Sequence, residues 1–297
     1  MNEQKHSPEK YDIRLTLLGT GGPTPVMERF GPSILVEAGE EKLLIDAGRG
    51  AIQRLMQLTQ PVREVRSIFL THLHSDHIVG LPDLWLTGWL NGRAETPLRV
   101  WGPRGTGDMM KYLDLAFNYD IRIRAYDDRL PPEGAVVLAE DIDEGIIYDN
   151  NGVTVTAFEV DHAPIKPAFG YRIDYIGRSA VVCGDTRFSE HLISYATGAD
   201  VLVHEVIAPD LMRGRGGGNS EAMERVIEHH TTPEKAGEVF ARANPRLAVY
   251  SHIIPVTATA DDLIPPTRKT YAGPLEIGED LMVITIGEEV TVQRYSD

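Results

Sequence analysis

The chain is nearly devoid of cysteine. Cys183 is the sole thiol in 297 residues, so no intrachain disulfide can form. The fold must rest on a buried core, which a chain of this length can build without staples. Cys183 ends the apolar run Ala180-Val181-Val182 and reads as a buried structural thiol, since no catalytic-thiol signature surrounds it. Long apolar runs are also missing. Nothing approaches the ~18 consecutive apolar residues of a membrane span. The opening MNEQKHSPEK has no apolar stretch and does not read as a signal peptide, so a cytoplasmic protein is expected. Cations are scarce: Lys+Arg 29 against Asp+Glu 44 leave a net charge of −15. That balance argues against holding nucleic acid by broad phosphate neutralisation, although it leaves room for an anionic substrate at one locally positive spot. Aromatic residues make up 7%, while apolar residues at 42% and charged residues at 25% are ordinary globular values that exclude disorder.

What is present alternates between strand and helix signals. Residues 1–10 form a polar tail, and 11–297 read as one domain. Ile13–Leu18 reads as a strand running into the glycine- and proline-dictated loop Gly19–Pro25. Ser33–Glu37 and Lys42–Ile45 suggest a hairpin, followed by a helix over Ala51–Leu58. Ser67–Leu70 is a short apolar strand. Leu81, Leu84, Trp85 and Trp89 then fall at helical spacing and read as core. A strand at Leu98–Trp101 and a helix over Arg104–Phe117 precede an acidic stretch, 120–150, that reads as irregular. Beyond it come a strand at Val153–Val160 and a hairpin of Phe169–Tyr175 with Ser179–Cys183, turning near Ile176-Gly177. Ser189 caps a helix that stops at Gly198, and Val201–Val203 is a buried strand. The glycine-rich segment within 208–222 reads as a connector, with a lid over a site as the sharper alternative. Thr232-Pro233 opens a helix as N-cap and first helical residue, and strands follow at Leu247–Tyr250, Met282–Ile286 and Val290–Arg294. Two strand sets interspersed with helices imply an α/β fold with two sheets face to face and helices outside.

The chemistry lies in Thr71-His72-Leu73-His74-Ser75-Asp76-His77. Three histidines and an aspartate stand within six positions, just past a buried strand. Imidazole nitrogens and carboxylate oxygens at such density suit a divalent cation, with zinc first and manganese or iron(II) as alternatives. A loop at one strand end cannot enclose a metal, so distant ligands are expected. His162, Asp185 and His252 each follow a strand, placing them on the same rim as the motif. Seven ligands exceed one tetrahedral ion and suit two. The expected division is His72, His74 and His162 on one metal, Asp76, His77 and His252 on the other, and Asp185 bridging. Such a pair would bind a bridging hydroxide at neutral pH and clamp developing negative charge on an ester. It would also bring about four positive charges to the pocket, so overall acidity does not oppose an anionic substrate. Glu205, in His204-Glu205, and His230, ahead of the Thr232 cap, form a candidate pair in which a carboxylate-oriented histidine protonates a leaving group. The bland alternative is that both are ordinary exposed residues.

At these residues the chain resembles the metallo-β-lactamase superfamily, whose motif is His-x-His-x-Asp-His, and within it the ribonuclease Z and arylsulfatase-like branch. The resemblance takes in Gly19-Thr20-Gly21, Leu44-Ile45-Asp46-Ala47-Gly48, the motif at 72–77 and Phe169-Gly170-Tyr171-Arg172. It continues through Gly184-Asp185-Thr186, His204-Glu205, His230-Thr231 and Ser251-His252. It implies a four-layer αββα sandwich of two mixed sheets flanked by helices, with a dinuclear, usually zinc, site between the sheet edges. It further implies Asp76 as ligand and proton acceptor, His230 as proton donor supported by Glu205, and a homodimer. One departure stands out. Ribonuclease Z enzymes typically carry a long arm for transfer RNA between the ligands matching His162 and Asp185, and here only residues 163–184 intervene. The expectation is therefore a hydrolase of a small anionic sulfate ester or phosphodiester. Transfer-RNA 3′ processing is the alternative, and a lactonase or β-lactamase stands behind both. A diiron redox enzyme is disfavoured because His74 stands where such relatives usually have glutamate, and a non-catalytic module because the ligand set is complete.

Overall fold

The computed structural model describes residues 11–93, 96–214 and 220–295. The tail expected over 1–10 and the centre of the glycine-rich segment, 215–219, lie outside the described residues. Two sheets form the middle of the molecule. The first holds β1 (Ile13–Gly19), β2 (Ser33–Ala38), β3 (Glu41–Ile45), β4 (Ser67–Phe69), β5 (Leu98–Gly102) and β6 (Val137–Asp141), with β14 (Val283–Ile286) and β15 (Val290–Gln293) added at the β1 side. The second runs from β7 (Gly145–Asn150) through β8 (Val153–Glu159), β9 (Phe169–Tyr175), β10 (Arg178–Val182), β11 (Val201–Ile207) and β12 (Leu247–Ile254) to β13 (Leu275–Ile277). Both sheets are mixed: β3–β6 and β10–β13 pair in parallel, and the other pairs are antiparallel.

Alternation along the strands sorts side chains onto two faces. Leu15, Leu17, Val36, Phe69, Val155, Tyr171 and Val203 point between the sheets and form the central core. Leu35, Leu44, Ile68 and Val100 point outward and pack on α1 (Ala51–Gln57), α3 (Leu81–Leu90) and α4 (Thr106–Tyr126). Val181, Leu202 and Ala248 do the same toward α5 (Glu190–Ala196), α8 (Pro233–Ala243) and α9 (Ala260–Thr267). The result is the expected αββα sandwich. Among the described residues no helix is long and apolar enough to cross a membrane.

Local chemistry explains most element ends. Ser189 Oγ accepts from the Leu192 N–H at 3.1 Å, and Thr232 Oγ1 from the Lys235 N–H at 3.5 Å with Pro233 at the first helical position. Ile176 and Gly177 both have positive φ, 40° and 79°, the two-residue turn that suits the twist of the β9–β10 hairpin. Trp85 and Trp89 are buried, as their spacing implied, and their indole N–H groups donate to the carbonyls of Ala135 and Pro131. Cys183 is only half-buried. Its thiol donates to the Gly184 carbonyl, and burial raises its pKa well above the usual range.

The acidic stretch corrects one expectation. Residues 120–150 are not irregular: α4 continues to Tyr126, and β6 and β7 follow. Ile121 and Phe117 carry the helix onward because they pack under the first sheet. β6 and β7 are edge strands, half exposed, so acidic residues on their open faces hide the strand signal.

Candidate metal centre

The motif begins where β4 ends. His72 and His74 lie on the loop, and His74 serves as N-cap of α2 (Ser75–Ile78), whose first turn carries Asp76 and His77. His162 follows β8, Asp185 follows β10, and His252 lies within β12. These strands all deliver their residues to one rim. Ligand atoms of His72, His74, His162 and Asp185 lie within 4.8 Å of one another, as do those of Asp76, His77 and His252. The two oxygens of Asp185 divide between the groups. Oδ2 is 3.6 Å from His72 Nε2 and 3.8 Å from His162 Nε2, while Oδ1 is 3.3 Å from both His77 Nε2 and His252 Nε2. Asp76 Oδ2 stands 3.4 Å from His252 Nε2.

Partners behind the rings aim the nitrogens. Thr71 Oγ1 donates to Asp46 Oδ2 at 2.8 Å and faces His72 Nδ1 at 3.0 Å, so His72 Nδ1 donates and Nε2 turns inward as a lone pair. His77 Nδ1 donates to Asp46 Oδ2 at 2.7 Å, and His162 Nδ1 to the His229 carbonyl at 3.1 Å. The rings of His72, His77 and His162 are thereby fixed with Nε2 toward the centre, whereas His74 turns Nδ1 toward His72 Nε2 at 2.9 Å and His162 Nε2 at 3.3 Å. Asp46 and Thr71 are functional residues that reasoning from residue types missed. Asp46 entered only through the resemblance at Leu44–Gly48, and its orienting role depends on a left-handed backbone, φ 58°.

His252 shares that feature. Between His204 and Val206 of β11, and between Tyr250 and Ile253 of β12, the register shifts by one residue, and His252 takes φ 44°. The bulge turns the ring out of the strand alternation and into the site. Non-glycine residues at positive φ are uncommon and cluster at functional sites. Gly22 faces this ring: a Cβ there would stand 3.3 Å from His252 Cε1.

Electrostatics favour ligand-ready forms at His72, His74, His162, Asp76 and Asp185. Burial drives the His72, His74 and His162 pKa values down, keeping these rings neutral. Burial would raise Asp76 and Asp185, but the surrounding histidines outweigh it and hold both carboxyls well below their ordinary range. Burial likewise disfavours charge on His77, yet Asp185 and Asp46 raise its pKa. His77 Nε2, His252 Nε2 and Asp185 Oδ1 are buried without a hydrogen bond among the described residues. Buried lone pairs left unpaired in this way need a partner, and a pair of cations between the groups fits them.

Beside the cluster, Glu205 Oε1 accepts from His230 Nδ1 at 3.2 Å, the Thr231 N–H at 3.0 Å and the Thr186 N–H at 3.2 Å. Neither residue is an ordinary exposed one. Burial opposes charge on the His230 ring, but the adjacent Glu205 carboxylate prevails and pushes its pKa up to about 9. The ring centroid is 5.4 Å from that of His162 and 5.9 Å from that of His252. A cavity of about 410 Å³ opens over the cluster, with Met212, Val226, Ile254 and Pro255 as its apolar wall. Met212 lies on α6 (Pro209–Gly214) and Val226 on α7 (Ser220–Glu228), which are tied by Arg213 and Glu224. A larger cleft of about 780 Å³, lined by Arg66, Arg99, Trp101 and Tyr148, holds none of the cluster.

The Beta-lactamase superfamily domain matches residues 41–253. A Ribonuclease Z of Mycolicibacterium gilvum (strain PYR-GCK) is 35% identical over 275 residues, covering 91% of this chain and 94% of the relative. A Ribonuclease Z of Mycobacterium sp. (strain KMS) is 35% identical over 286 residues, covering 95% and 99%. Among solved structures, the short form of human tRNase Z superposes with a TM-score of 0.67 at 22% identity, covering 92% of this chain and 99% of that one. The metallo-β-lactamase fold protein YhfI of Bacillus subtilis gives 0.68 at 19%, covering 91% and 98%. The chain therefore belongs to the metallo-β-lactamase superfamily, on its ribonuclease Z-like branch, and is a metal-dependent ester hydrolase.

Proposed function

We propose that this chain hydrolyses a phosphodiester bond of RNA, as a transfer-RNA 3′-end endoribonuclease. The observation that carries the reading is the convergence of seven metal donors about Asp185 with the Glu205–His230 pair at the cavity wall. Its support is 35% identity to a Ribonuclease Z along nearly the whole of both chains. The small sulfate ester, first among the sequence expectations, has no comparable support.

His72, His74, His162 and Asp185 would hold one ion, and Asp76, His77 and His252 the other, with Asp185 shared. Zinc suits these donors, and manganese or iron(II) are alternatives. Two such ions supply Lewis acidity and a hydrolytic nucleophile at neutral pH. The chain's own residues do the rest. As the nucleophilic oxygen attacks phosphorus, Asp76 takes its proton. The P–O bond to the leaving oxygen breaks, and His230, held by Glu205, donates the proton that completes the new hydroxyl. Thr71 and Asp46 keep the ring nitrogens aimed throughout.

The absent arm does not oppose this. Residues 163–184 are filled by a short loop and the β9–β10 hairpin. A relative aligned over 99% of its own length holds no large segment that this chain lacks. With a net charge of −15, few phosphates are contacted at a time, so binding has a shallow salt dependence. Such an activity places the protein with its RNA in the cytoplasm. A second reading, a small phosphodiester, is favoured by the 410 Å³ cavity and its apolar wall. One experiment separates them. The metal-loaded protein is given precursor transfer RNA, bis-aryl phosphates and aryl sulfates. Cleavage of precursor at the 3′ side supports the first reading. Turnover of small diesters with the precursor intact supports the second, and turnover of sulfate esters alone overturns both.

A further inference from the structure

One buried carboxylate reaches the loop beside the metal centre from the C-terminal part of the chain. Asp280 lies between β13 and β14, and its side chain is 4% exposed. Oδ1 accepts from the N–H and the hydroxyl of Thr20 at 2.9 and 2.8 Å. Oδ2 accepts from the Phe30 N–H at 2.8 Å and from Nε and Nη2 of Arg54 at 3.1 and 3.0 Å. Thr20 and Phe30 are the two ends of one loop between β1 and β2. The Gly21 N–H closes that loop by donating to the Phe30 carbonyl at 2.8 Å. A second cation, Arg29, donates to the Thr20 hydroxyl oxygen at 2.7 Å and to the Gly278 carbonyl at 2.6 Å. Leu281, next to the carboxylate, is held at φ 68°. A bulky residue stays in that conformation only where its surroundings fix it.

The clamped loop meets the metal centre at two points. The Thr20 carbonyl accepts from the Ile253 N–H at 2.9 Å, directly after His252 and its bulge. Gly22 stands against the His252 ring, 3.3 Å from Cε1 at the position of a Cβ. His252 Nδ1 is buried with no hydrogen-bond partner among the described residues. The rings of His72, His77 and His162 differ in this, since each has a partner behind it. Packing therefore holds the His252 ring where hydrogen bonding does not. His77 stacks on it with centroids 4.9 Å apart, and the loop edge at Gly22 bounds it from another element. We propose that Asp280 is a positioning residue for the ion on Asp76, His77 and His252: by pinning both ends of the 20–30 loop it seats Gly22 against His252 and keeps Nε2 aimed at that ion. The inference goes beyond the RNA reading and rests on the division of donors between two ions.

Asp280→Asn has one acceptor oxygen for two loop ends, so one end comes free. Zinc affinity, measured by chelator competition on full chains that each lack one histidine ligand, tests the consequence. In the His72→Ala chain the remaining ion sits on Asp76, His77 and His252, and adding Asp280→Asn should weaken it about tenfold, the lower end of the range for orienting partners. In the His252→Ala chain the remaining ion sits on the other group, and the same substitution should leave its affinity unchanged. Thr20→Val removes one of the five hydrogen bonds to Asp280 and should give a one-sided loss of about threefold, which keeps the test standing where Asp280→Asn does not fold. Gly22→Ala, with every Asp280 bond intact, should give the same one-sided loss, and adding Asp280→Asn to it should cost less than the two losses combined. Equal losses in both chains would make Asp280 a general support of the fold, and no loss in either would leave His252 to the His77 stack. Each of these results overturns the proposal. If His252→Ala itself costs no ion, the division of donors fails and the proposal fails with it. None of the outcomes depends on which ester is cleaved.

Discussion

Oδ2 of Asp46 lies 2.7 Å from Nδ1 of His77, and the same carboxylate accepts from both the backbone N–H and the hydroxyl of Thr71. One side chain on a left-handed backbone therefore fixes the motif loop at its start and orients a ring at its end. Neither contact involves an atom that would touch a metal. The geometry of the centre is set from behind it, by a residue that leaves β3 and reaches across to β4.

Asp46→Ala should weaken metal binding by 10–100-fold, the range seen for orienting partners of ligating histidines. Competition with a calibrated chelator measures this directly. Asp46→Asn keeps one acceptor oxygen, loses the charge and puts an NH2 donor in place of the other oxygen, and should fall between the two. Equal affinity in Asp46→Ala and the parent would show that the Thr71 and His77 contacts are incidental.

Asp185 offers one oxygen to each ligand group, whereas His72 belongs to one group and His252 to the other. Elemental analysis should therefore separate these positions. His72→Ala and His252→Ala should each lose about one ion per chain. Asp185→Asn should lower occupancy at both positions together. Loss of a single ion in Asp185→Asn would assign the carboxylate to one metal only.

The Glu205–His230 pair should matter in proportion to how badly the leaving oxygen needs a proton. Glu205→Gln and His230→Ala should lower kcat on an RNA or alkyl diester by about 10²–10⁴-fold. On a nitrophenyl diester, whose leaving group departs as a stable anion, the loss should be far smaller. Removing both residues should cost little more than removing His230 alone, since Glu205 acts through it. Equal losses on good and poor leaving groups would show that the pair serves structure instead of proton transfer.

Much of this was readable from residue order. The motif at 72–77 is dense enough to announce a metal, and His162, Asp185 and His252 could be gathered because the first two follow strands and the third lies near the end of one. Asp46 was not readable in the same way. Its function depends on a backbone conformation and on a neighbour, His77, from a different segment. The bulge that aims His252 is likewise a property of how β11 and β12 pair, not of either strand alone. In the acidic stretch the failure had another cause. β6 and β7 close the edges of their sheets, and half-exposed strands need not alternate in hydrophobicity.

Asp141 shows what that misread stretch contributes. Helix α4 begins at Gly105, which has no side chain to cap it, and Asp141 at the end of β6 caps it from a distance. Its oxygens accept from the Gly105 N–H at 3.0 Å and the Gly107 N–H at 2.8 Å. Asp141→Ala should therefore cost about 1 kcal/mol, and Asp141→Asn somewhat less because an acceptor remains. The hydrogen bonds from Gly107 and Gly105 hold the Asp141 carboxyl below its usual range. A carboxyl whose pKa is lower folded than unfolded stabilises above the unfolded value, near ~3.9, and ceases to do so as pH falls through the folded value. The difference in Tm between the parent and Asp141→Asn should thus be constant from neutral pH to about pH 5, narrow as pH falls through ~3.9, and close as it falls through the lower folded value. A gap that stays the same down to the acid limit of folding would show that the carboxylate's charge is not what holds the helix start.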